Sequence, residues 1–129
     1  MPKYAANTSA IISDDELVLS KRQIDLFLEL LPQKSGLQPQ EIVITMDGLR
    51  PDLYDDTELE RSRTTFPARM FAYMAEKGQM LGYEVIWLES LFAARHRATG
   101  ERFEYSFNNH WNASGHAVMA DAVLSSRTF

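Results

Sequence analysis

The stretch Glu41-Ile42-Val43-Ile44-Thr45-Met46-Asp47-Gly48 decides the fold. Residues 41–46 form a short, β-branched, apolar run, and Asp47-Gly48 punctuates it. That is the pattern of a strand covered on both faces. A second run, Tyr83-Glu84-Val85-Ile86-Trp87-Leu88, follows after a loop and a helical segment. In that segment Thr64 or Thr65 can cap a helix, and Pro67 falls in the first turn, where a missing N–H costs little. Phe66, Met70, Phe71, Met74 and Ala75 recur at helical spacing, Met70, Met74 and Met80 read as core filler, and Gly82 suits a left-handed stop. Residues 41–88 therefore predict a β-loop-helix-β unit: a parallel pair joined by a crossover.

Upstream, Ser13-Asp14-Asp15-Glu16 matches a capping box, a hydroxyl at the cap with a carboxylate three residues on. Leu17, Ile24, Phe27, Leu28 and Leu31 follow at helical spacing, and Pro32 with Lys34-Ser35-Gly36 predicts the end of that helix. Residues 1–12 show no period and read as an arm ahead of a single α/β domain, 13–129, complete or partial. Residues 47–63 hold six acids and three arginines. They read as an irregular, solvated, mobile loop. Downstream, Ser90 to His96 predicts a short helix and Thr99-Gly100 a turn. Phe103, Tyr105 and Phe107 alternate with polar residues as in an extended segment. Asn112 suits the cap of a last helix to about Ser125, with Val118, Ala122 and Val123 inward. The sum is a small, mostly parallel sheet in a three-layer α/β/α arrangement.

Composition narrows the function classes. The chain has 129 residues, 45% of them apolar and 24% charged, enough to bury a core. It has no cysteine, which removes disulfides, thiolate zinc sites and thiol nucleophiles. Thirteen basic and eighteen acidic residues give a net charge of −5, which argues against broad nucleic-acid or anionic-membrane binding. No run is long and apolar enough for a membrane span, and no signal pattern opens the chain, so a cytoplasmic location is expected if Met1 is the true N-terminus. No cofactor is expected: no glycine-rich phosphate loop follows either strand, which ranks a nucleotide-binding domain last. His96, His110 and His116 have no carboxylate at ligand spacing, so no metal site is expected. The acids Asp52, Asp55, Asp56, Glu58 and Glu60 lack EF-hand spacing. Asp47 and Glu89 fall at predicted carboxyl ends of parallel strands, where α/β proteins bind ligands, and Arg50 in the loop between could meet an anion. Asn7-Thr8-Ser9 and Asn112-Ala113-Ser114 match glycosylation triplets without any sign of secretion.

The densest chemistry is in Phe107-Asn108-Asn109-His110-Trp111-Asn112-Ala113-Ser114-Gly115-His116. His110 lies in a polar loop just before a helix. A neutral imidazole there can take a proton from a hydroxyl near pH 7 and return it. Asn108, two residues upstream, is placed to orient the ring, with an amide where a carboxylate would also supply charge.

This block resembles the last motif of the SGNH (GDSL-type) hydrolases, an Asp-x-(x)-His that often continues Trp-Asn-x-x-Gly-His. The order of elements is similar to the C-terminal half of that α/β/α fold. The resemblance implies that His110 is the general base, that Asn108 stands where the family has Asp, and that Asn112 and His116 support the loop. The family's Gly-Asp-Ser nucleophile block and its oxyanion blocks have no counterpart here. Two functions are therefore expected. One is the C-terminal portion of an ester hydrolase or acyltransferase, acting on a small ester or acyl substrate once a serine is supplied from elsewhere. The other is a non-catalytic module that self-associates through its sheet edge or through the apolar face of residues 17–31.

Overall fold

The computed structural model describes residues 12–49 and 52–129. The expected arm, residues 1–11 above all, and Arg50 lie outside them. The elements in order are α1 (Asp14–Ser35), β1 (Val43–Met46), α2 (Asp56–Ser62), α3 (Phe66–Met80), β2 (Glu84–Trp87), α4 (Leu88–Thr99) and α5 (Ala113–Leu124), with single 3-10 turns at Pro39–Glu41 and Asp52–Tyr54. The chain is α/β: mainly helical, with a small parallel sheet.

β1 and β2 pair in parallel, Val43 opposite Glu84 through to Met46 opposite Trp87. Paired residues share a face and successive residues alternate. Ile44, Met46, Val85 and Trp87 therefore point one way, and Val43, Thr45, Glu84 and Ile86 the other. α3 lies on the first face. Its Gly78 passes so close that an added Cβ would stand 2.9 Å from Val85 Cγ2, and its Phe71 meets Trp87 edge-on at 6.3 Å. On the second face Ile86 packs against the core cluster of Leu53, Leu59, Leu88, Phe92, Ala93, Phe103 and Val118, together with Met119 and Ala122 of α5. Phe92 stacks on Phe103 at 4.8 Å in its centre. Both strands are mostly half-buried rather than fully covered; of their residues only Met46 is buried.

The capping box forms as expected: Glu16 N–H donates to Ser13 Oγ at 3.2 Å, and Ser13 N–H to Glu16 Oε2 at 2.8 Å. α1, however, runs through Pro32 and stops at Gly36, which adopts φ 75° and donates to the Pro32 carbonyl. Pro32 has no N–H to give the Leu28 carbonyl, four residues back. The buried Tyr83 hydroxyl donates to that carbonyl instead. A tertiary contact thus replaces the missing helical bond. α1 leans on α3, where Tyr73 Oη donates to Asp25 at 2.8 Å. One neighbouring helix covers a narrow stripe, so Leu17 and Leu28 are buried while Phe27, expected inward, is 47% exposed. Met80, read as core filler, is also exposed.

The largest correction is at 47–63. The stretch read as a mobile loop contains a 3-10 turn and α2, and it buries Leu53 and Leu59 in the main core. Leu49, Leu53, Tyr54 and Leu59 give no sustained helical period, yet the two buried leucines suffice to dock the segment. The acids have local duties. Asp55 caps α2 by accepting from Thr57 and Glu58 N–H at 2.9 and 3.0 Å, and Glu58–Arg61 and Glu60–Arg63 pair one turn apart. α4 begins directly after β2 and is longer than the expected 90–96. The alternation at 103–107 yields only an isolated antiparallel bridge, Glu104 with Trp111.

Candidate functional site

The histidine block folds as a closed loop. Tyr105 N–H donates to the His110 carbonyl at 3.1 Å, and Asn112 N–H to the Phe103 carbonyl at 3.1 Å. Inside the loop, Asn108 Oδ1 accepts the main-chain N–H of His110 at 2.9 Å. Asn108 therefore holds the backbone of His110; this bond does not run to the imidazole, where the sequence reading placed it. His110 is exposed, and Tyr105 and Phe107, both also exposed, stack on each other at 5.3 Å.

The rest of the block fixes that loop to α5. Asn112 is the cap: its Oδ1 accepts from Gly115 N–H at 2.9 Å, and its Nδ2 donates to the Arg102 and Glu104 carbonyls at 2.9 and 3.1 Å. One amide thus ties the helix start to both residues flanking Phe103. Gly115 is demanded by space, since a Cβ there would stand 2.5 Å from the Phe103 carbonyl and 3.0 Å from Trp111 Cβ. His116, exposed in the first turn, meets Trp111 edge-on at 5.5 Å. Asn112 is bonded to the loop and the helix start at three points, whereas His116 meets the Trp111 ring.

Trp111 ties this assembly to the sheet. Its indole N–H donates to Asp47 Oδ1 at 3.1 Å, at the carboxyl end of β1. The same Oδ1 accepts Gly48 N–H at 2.7 Å, and Trp87 donates its indole N–H to the Asp47 carbonyl at 3.1 Å. The chain's two tryptophans thus converge on one residue. Beside them, at the end of β2, Glu89 is buried and paired with Arg63 Nη1 at 3.5 Å. Burial pushes the Glu89 carboxyl above the usual range, and Arg63 partly offsets that push. Gly48 permits the approach: a Cβ there would lie 3.0 Å from Glu89 Cα and 2.8 Å from Leu53 Cδ2. Asp47 and Glu89, picked out by their strand-end positions, are thus brought together. The sequence showed neither Trp111 nor Arg63 as their partners, because those contacts span long separations.

A second polar group also escaped the reading. Tyr54 donates its hydroxyl to the Glu104 carboxylate and accepts Phe103 N–H at 2.9 Å, while Arg102 lies 4.5 Å over the Tyr54 ring and pairs with Glu104 at 2.9 Å. It braces the segment that leads into the histidine loop. His96 also packs against Tyr54 at 4.5 Å, with Nδ1 2.8 Å from the Glu101 carbonyl. Among the described residues no group of three or more His, Asp or Glu side chains could hold a metal ion. No helix of the described residues is long and apolar enough to cross a membrane.

No protein-family model, curated protein or solved structure matches the chain.

Proposed function

We propose that the chain carries the histidine half of an SGNH-like serine hydrolase site, of esterase or acyltransferase type. The supporting observation is the Trp111–Asp47 bond, which ties the loop presenting His110 to the carboxyl end of a parallel strand. That is the end of an open α/β sheet where ligands bind. An exposed imidazole on a loop closed by hydrogen bonds at both ends can meet a serine hydroxyl, take its proton as the hydroxyl attacks an acyl carbon, and return it to the leaving group. The serine and the oxyanion donors come, in this reading, from polypeptide other than residues 12–129. A three-layer α/β/α arrangement belongs to the same proposal, and the placement of α3 and α5 against opposite sheet faces supports it.

One observation favours the second reading, a non-catalytic module on the same scaffold. Asn108 Oδ1 is committed to the His110 main chain and offers the ring no charge. The experiment separates the two. A longer polypeptide, carrying whatever coding sequence lies upstream, is assayed on p-nitrophenyl acetate with and without His110→Ala. The hydrolase reading expects activity that falls at least about 100-fold in the variant. An active protein indifferent to His110→Ala overturns the assignment of the base. A folded but inert longer protein supports the module.

A further inference from the structure

We propose that Tyr105 and Phe107 form an aromatic wall beside His110, and that this wall selects esters whose alcohol part is an uncharged ring, aryl or pyranose. The inference rests on the hydrolase reading and names the substrate class of the same site. The placement comes from the antiparallel bridge between Glu104 and Trp111. The next residues along the two arms are Tyr105 and His110, and Tyr105 N–H donates to the His110 carbonyl at 3.1 Å. Residues directly opposite in an antiparallel pair share a face, with Cα atoms about 5.5 Å apart. The Tyr105 and His110 side chains therefore leave the loop on one side. Phe107 joins them there, its ring stacked on Tyr105 at 5.3 Å and 26°.

The pair has the character of a binding surface. Phe107 is 73% exposed and Tyr105 45% exposed, and neither belongs to the core cluster. Large apolar side chains held together in water mark places where a ligand or partner sits. Two main-chain hydrogen bonds and the Asn112 amide fix the arms of the loop, so a ligand meets a preformed surface. From Tyr105 to Ala120 the chain has no Lys, Arg, Asp or Glu. A charged ligand finds no fixed counter-charge on that segment, whereas a neutral ring needs only the face of another ring.

The chemistry at His110 names the occupant. As the serine oxygen bonds to the acyl carbon, the bond from that carbon to the alcohol oxygen breaks, and His110 returns its proton to the alcohol oxygen. Proton transfer needs that oxygen about 3 Å from the imidazole. The alcohol part of the ester is therefore the part that lies beside His110. A ring carried on its oxygen comes within reach of side chains that leave the loop on the same side. It can lie offset against the Phe107 face or meet it edge-on, the two arrangements that aromatic rings favour.

NMR titration of the isotope-labelled 129-residue chain with phenol and with methyl β-D-glucopyranoside tests the wall without any catalysis. Saturable shifts centred on residues 105–110 are expected for at least one probe and are expected to be insensitive to salt. The probe that gives them tells an aryl from a pyranose ring. Phe107→Leu keeps an apolar side chain without the ring and should weaken binding at least about threefold, whereas Phe107→Trp should retain it. No saturable shift with either probe, or equal affinity in Phe107→Leu, overturns the proposal. So do shifts that follow protein concentration instead of probe, the sign of a second copy covering the pair. On the longer polypeptide, the ratio of kcat/KM for cyclohexyl acetate to that for n-hexyl acetate should fall at least about threefold in Phe107→Leu. An enzyme that needs His110 but keeps that ratio overturns this proposal and leaves the hydrolase reading standing. An inert longer protein that binds a probe at Tyr105 and Phe107 supports the wall and overturns the hydrolase reading alone.

Discussion

Trp111 and Asp47 are joined by an indole-to-carboxylate hydrogen bond of 3.1 Å across 64 residues of sequence. The bond links the loop that presents His110 to the strand end beside Glu89. The carboxylate also accepts Gly48 N–H, so two donors hold the anchor point.

Asp47→Ala should therefore loosen the loop as well as the strand end. It strands one partly buried indole N–H and leaves Gly48 N–H without its acceptor. The expected cost is about 1–3 kcal/mol in urea unfolding, with a shift in tryptophan fluorescence. Trp111→Phe should cost less in the Asp47→Ala background than alone, because the shared bond is already gone. Equal costs in both backgrounds would mean that the bond contributes nothing.

Gly115→Ala probes the block from inside α5. The added methyl would meet the Phe103 carbonyl at 2.5 Å, and that carbonyl is pinned by Asn112 N–H. Helix propensity alone favours Ala by about 1 kcal/mol. Overpacking against fixed backbone reverses the sign, and a net loss of about 1–3 kcal/mol is expected from thermal or urea unfolding. A stabilised variant would show that the contact relaxes without strain.

These contacts mark what the sequence could and could not reveal. The parallel pair, the Ser13 capping box and the Asn112 cap are local or periodic, so residue order displays them directly. The partners of Asp47 and Glu89 are not: Trp111 and Arg63 reach them only after the chain has folded. The 47–63 stretch misled for a related reason. Leu53 and Leu59 sit in a stretch dominated by charge and carry no sustained period, yet they are buried in the main core. Asn108 is expected to orient the His110 ring, but Asn and Asp side chains readily bond main-chain N–H groups two residues on, and that local competitor takes the oxygen.

Two glutamates should respond to pH in opposite senses. Glu89 has a raised pKa, through burial first, so the stability linked to it is complete below the unfolded-state value of about 4.3 and is lost as pH rises through the higher folded value. Glu84 is lowered, chiefly by the Thr128 hydroxyl and then by the Arg127 and Thr128 main chain, so its contribution is present above the unfolded value and is lost as pH falls. Relative to wild type, Glu89→Gln should gain stability from pH 3 to pH 7, and Glu84→Gln should lose it over the same range. Urea titrations at the two pH values measure both, and identical pH dependence in the two variants would contradict the assignment.

The sharpest test of the packing lies at Pro32. Its ring leaves the Leu28 carbonyl without the helical N–H it would otherwise accept, and the buried Tyr83 hydroxyl donates to that carbonyl. Tyr83→Phe alone should cost about 1–3 kcal/mol, because it leaves an unsatisfied carbonyl at a buried position. Pro32→Ala supplies an N–H from within α1, so the carbonyl keeps a partner whether or not the tyrosine hydroxyl is there. In that background Tyr83→Phe should cost distinctly less, and the four proteins form a cycle whose coupling energy is read from urea unfolding. Strict additivity would mean that the hydroxyl acts independently of the proline. Coupling would show that the helix runs through Pro32 because a tyrosine 55 residues beyond Leu28 donates in place of the missing N–H.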